Sequence, residues 1–142
     1  MSVLQLLLAL HLLAVALGIG SGFSNLINLR VSKGQTGDVA KGLGLMRMAL
    51  RPYGDFFVAT IVVTGVLLLW TIGGTTGLNG WFNVKMAAVI VFVLSYIGVR
   101  LTVMQMMKSG NMALMSRVGL LAHVAVAGAV IALVCAVLTF AA

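Results

Sequence analysis

The chain has 142 residues, 62% of them hydrophobic and only 8% charged, with a mean hydropathy of +1.20. Soluble domains run at roughly 45–50% apolar and about 25% charged, so the composition speaks against a water-soluble fold; a single proline and a single cysteine also exclude a Pro-rich disordered linker and a disulfide scaffold. Nine Lys and Arg stand against Asp38 and Asp55, leaving a charge of +7. In so apolar a chain this records membrane topology rather than nucleic-acid binding, because basic loops are retained on the cytoplasmic side.

A helix needs roughly 20 residues to cross a hydrocarbon core of about 30 Å. Four segments are long and apolar enough: about 3–29, 53–73, 81–106 and 116–140. None alternates as a barrel strand would. The expected fold is all-α, a single domain over residues 1–142 forming a transmembrane four-helix up-down bundle. The first span has no Lys or Arg among its first ten residues and is longer than a signal-peptide core, so it reads as a retained helix.

Five cations, Arg30, Lys33, Lys41, Arg47 and Arg51, separate the first two spans, and Arg100, Lys108 and Arg117 surround the third connection. Only Lys85 lies near the uncharged loop from Gly74 to Gly80. Both termini are therefore expected on the non-cytoplasmic side of a bacterial-type inner membrane. The stretch from Asp38 to Leu50 reads as a short interfacial helix, Pro52 as the start of the second span and Gly73-Gly74 as its end. Trp70 and Trp81 flank the outer loop at headgroup depth.

On a helix turning about 100° per residue, His11, Ala14, Gly18, Gly22 and Asn25 form one stripe of the first span, expected to face the bundle interior. In the fourth span Ser116, Gly119, His123, Ala127, Val130 and Val134 form the corresponding stripe. Lys85, Ala88, Phe92, Tyr96 and Arg100 share a broad face of the third. Ionisable groups inside a membrane are costly and point to function; the plain alternative is a packing role through hydrogen bonds to neighbouring helices.

Two histidines on apolar helices suit axial ligation of a b-type haem. His11 lies near mid-span and His123 nearer the cytoplasm, a height difference of roughly 7–13 Å at 1.5 Å per residue. With packed helices about 8–10 Å apart, the Cα separation is roughly 11–16 Å. Joint ligation fits the low end, and His11 alone fits the high end. Arg100 and Lys85 are candidate holders of an anionic group such as a haem propionate, although Arg100 paired with Asp55, or Lys85 snorkelling outward, would serve structure alone. Met104, Met106, Met107, Met112 and Met115 cluster at the inner connection, raising Cu(I) handling beside apolar filling.

The string LHLLAVALGIGSGF around His11 resembles the opening of the HemJ-type protoporphyrinogen oxidases and of their CopD-like relatives, small membrane proteins. GWFNVK, Gly80 to Lys85, is similar to the Gly-Trp motif opening that family's third shared helix, and RPYGDFFVATIVVTG resembles the second helix of those relatives. The resemblance implies a b-haem held by His11 and a redox reaction on a porphyrinogen, with electrons passed to the respiratory chain. The family's second histidine at the end of the first helix is replaced here by NLINLR, its Asn-Glu-x-Pro motif is absent, and Asn83 stands where its motif often has histidine. Haem binding is thus carried further than porphyrinogen oxidation. The expected function is electron transfer or a haem-linked oxidation. A non-catalytic subunit or assembly factor is the alternative, with a second copy or a larger membrane complex as partner, and copper handling is the third reading.

Overall fold

The computed structural model describes residues 2–74 and 80–141. They form α1 (Val3–Ser32), α2 (Gly37–Thr71), α3 (Gly80–Ser109), a 3-10 turn (Met112–Leu114) and α4 (Met115–Ala141). Among the described residues there is no strand, and all four helices are long and apolar enough to cross a membrane. The segment read as the outer loop lies, at residues 75–79, outside the described residues. The chain divides into two compact units, Met1–Gly77 and Leu78–Ala142, each an antiparallel pair of helices.

Local chemistry explains the ends. Ser2 caps α1 by a capping box: its hydroxyl accepts from the Gln5 amide (3.2 Å) while the Gln5 side chain accepts from the Ser2 amide (2.9 Å). At the far end of α2 the Gly74 amide donates to the Leu69 carbonyl (2.9 Å) and the Gly73 amide to that of Trp70 (3.1 Å), with φ of +88° and +84° at the two glycines. This Schellman closure requires the left-handed region at Gly73, which glycine enters without Cβ strain. Replacing Gly73 with Ala is expected to lower stability by about 1 kcal/mol, read as a shift of the thermal unfolding midpoint in detergent.

The second helix differs from its sequence expectation. It does not begin at Pro52; one helix runs through from Gly37, and the segment read as a separate interfacial helix is its first part. Proline removes the bond that its N–H would make to the Met48 carbonyl, but a missing bond does not end a helix whose flanks are held by packing. Here the hold on the early part is visible: buried Asn28 of α1 donates its side-chain amide to the Leu43 carbonyl of α2 (3.4 Å), and Ser32 donates back to the Asn28 carbonyl (2.6 Å).

Hydroxyls inside the spans return to carbonyls one turn earlier, as Thr60 to Phe56 (2.8 Å) and Thr102 to Gly98 (2.7 Å), because lipid offers no other acceptor. Small residues set the helix contacts. Ala14 is buried in α1, and a Cβ at Gly18 would stand 3.2 Å from Ile61 of α2. In the second unit Val118, Ala125, Gly128 and Cys135 of α4 are buried, together with Phe82, Ala88 and Ser95 of α3. The opposed pairs run in opposite directions along the two helices, Gly128 beside Ala88 and Phe92, Gly98 beside Leu121.

Candidate functional site

The strongest candidate is His11 at the α1–α2 contact. Its Nδ1 lies 2.8 Å from Thr64 Oγ1, and Thr64, itself buried, reaches the Thr60 carbonyl at 2.6 Å. A hydroxyl has one proton, and the short approach to a carbonyl, which cannot donate, assigns that proton to Thr60. The Thr64 oxygen is then the acceptor and His11 Nδ1–H the donor. In the neutral ring this places the lone pair on Nε2. The ring is half-buried, and Gly65 makes space for it: a Cβ there would lie 3.3 Å from His11 Cε1 and 3.8 Å from Nδ1. A histidine whose one nitrogen is anchored by a hydrogen bond while the other carries the lone pair is the arrangement seen in metal-bound imidazoles.

The inward stripe of α1 is seen in part. His11, Ala14 and Gly18 meet α2 or are buried, and Gly22 and Asn25 are half-buried.

In the second unit the stripe of α4 that holds His123 does not meet α3. Its members Ser116, His123, Ala127, Val130 and Val134 are exposed, while the turn-by-turn neighbours Val118, Ala125, Gly128 and Cys135 are buried. The reason is Gly128, whose lack of a side chain lets the backbones approach closely and so selects the face. His123 Nδ1 lies 2.7 Å from the Gly119 carbonyl one turn earlier. The carbonyl can only accept, so His123 Nδ1–H is the donor.

The face of α3 read from the sequence is a ladder of ring contacts. Arg100 donates to the Tyr96 hydroxyl (2.8 Å), its guanidinium carbon lies 5.1 Å from the Tyr96 ring centre, and Tyr96 in turn lies 6.3 Å from Phe92. Lys85 Nζ stands 5.9 Å from the Phe82 ring centre. Rings face both cations, which lowers the cost of holding positive charge in an apolar span. Fifteen residues separate Lys85 from Arg100, about 22 Å along the helix, so they do not hold one small anion together. Gly98 opposes Leu121, which sets Arg100 and His123 at neighbouring levels of their hairpin.

The chain matches no family model, no curated protein and no solved structure. Among the described residues no group of three or more His, Cys, Asp or Glu is placed to hold a metal ion. Thr64 and Gly65, which orient His11, were not singled out from the sequence. The signal was a Thr-Gly pair inside the apolar run IVVTGVLLLW.

Proposed function

We propose that this multi-pass membrane protein binds a b-type haem through His11 Nε2 and acts in electron transfer or a haem-linked oxidation. The observation that carries the reading is the His11–Thr64–Thr60 relay, which makes His11 Nδ1 a donor at a half-buried position in an apolar helix and so supports a ligating role for Nε2. A haem bound there would supply reversible one-electron exchange at iron. His11 would hold it, Thr64 would keep the ring from turning, and Gly65 would leave the ring its space. In the second hairpin His123 is the alternative imidazole for such a group, and Arg100 and Lys85 are alternative partners for an anionic group there. The distribution of cations supports an inner-membrane placement with both termini outside the cytoplasm, since eight of the nine basic residues fall near the two connections assigned to the cytoplasmic side.

Detergent-purified protein from haem-replete cells is expected to show a Soret band that shifts on dithionite reduction. A colourless preparation overturns the proposal, and one that co-purifies with a stoichiometric protein partner supports the subunit reading instead. Thr64→Val keeps the volume and removes the acceptor. It is expected to weaken haem affinity about 10–100-fold, with Thr64→Ser restoring most of it, measured by haem titration of the apoprotein.

A further inference from the structure

The exposed amphipathic rings of Tyr53 (61%) and Trp70 (80%) stand 17 residues apart on α2, about 25 Å of helix, close to the thickness of a hydrocarbon core. Tyr and Trp settle at the two membrane–water interfaces, so residues 37–52 lie beyond the hydrocarbon. The end of α1 is held beside them by the Asn28–Leu43 bond. This end of the hairpin carries Arg30, Lys33, Lys41 and Arg47 with Asp38, and Arg51 lies at its edge one helical turn from Asp55. Interleaved with the cations on α2 are Val39, Leu45 and Met48, exposed by 57%, 66% and 58%. Arg47 lies six residues beyond Tyr53, about 9 Å of helix, which is headgroup depth.

We infer that this basic end of the first hairpin is a docking surface for anionic phospholipid headgroups. The cations complement the phosphates, and Met48, which lies between Arg47 and Tyr53 in depth, enters the boundary between headgroup and acyl chain that a purely charged surface would leave. The inference is independent of haem binding.

The full chain reconstituted in vesicles of phosphatidylcholine mixed with phosphatidylglycerol tests it, with the lipid retained on the extracted protein identified by mass spectrometry. Phosphatidylglycerol is expected to be enriched over its bulk share, to fall about fivefold for each charge removed in Lys41→Gln and Arg47→Gln, and to fall with added salt. The charge-keeping pair Lys41→Arg and Arg47→Lys should retain the enrichment, which separates charge from a folding defect. Retained lipid at the bulk ratio overturns the inference. So does enrichment unchanged in the double glutamine variant, or capture of an acidic soluble protein without lipid preference.

Discussion

His11→Ala protein is expected to lose at least about nine-tenths of its bound haem while keeping its helical content, read as Soret absorbance per protein beside far-UV circular dichroism. The expectation follows from geometry. Thr64 keeps its own bond to Thr60, so removing the ring strands no hydroxyl proton and costs the α1–α2 contact little beyond the packing of the ring. Adding free imidazole to the variant should return part of the band, because the side chain's absence leaves room beside Gly65 for a ligand of the same chemistry. His123→Ala is the companion test: a Soret band lost there and retained in His11→Ala assigns the haem to His123 instead, and an unchanged spectrum indicates that His11 works without it. Haem content equal to wild type in His11→Ala removes the basis of the proposed function.

Gly128→Leu should be the most damaging single change in the second hairpin. Even a Cβ at Gly128 would lie 3.2 Å from the Ala88 carbonyl oxygen, 3.3 Å from the Phe92 nitrogen and 3.4 Å from its Cα. All three are backbone atoms, so α3 cannot yield by turning a side chain and the helices must part. Overpacking of this kind costs about 1–3 kcal/mol, with Ala at the lower end and Leu at the upper. Gly98→Ala is the informative contrast: its Cβ would meet Leu121 Cδ1 at 3.2 Å, the tip of a flexible side chain that can move aside. At Gly119 nothing lies within 4 Å, so Ala there should be neutral or slightly stabilising. Unfolding of the four proteins in detergent, followed by circular dichroism, should rank Gly128→Leu well below Gly128→Ala, and both below the other two. Equal stability of all four would mean that the close approach at Gly128 does not hold the hairpin.

The amino-acid pattern alone determined that the chain is all-α with four apolar helices of membrane-spanning length, and that Gly73-Gly74 ends the second. Both follow from local physics, since unsatisfied backbone cannot sit in hydrocarbon and a left-handed closure calls for glycine. Pro52 misled because helix starts and helix interiors both admit proline when the flanks are supported, and the support from Asn28 to Leu43 crosses between two helices. The α4 face also escaped the sequence. Stripes through His123 and through Gly128 are both rich in small residues, and only the position of the α3 backbone decided which is buried. His11 was visible as an ionisable residue in an apolar helix, but its tautomer was not. That depends on Thr64, 53 residues away, whose single proton is already committed to Thr60, so the direction of the bond is a property of the packed pair of helices.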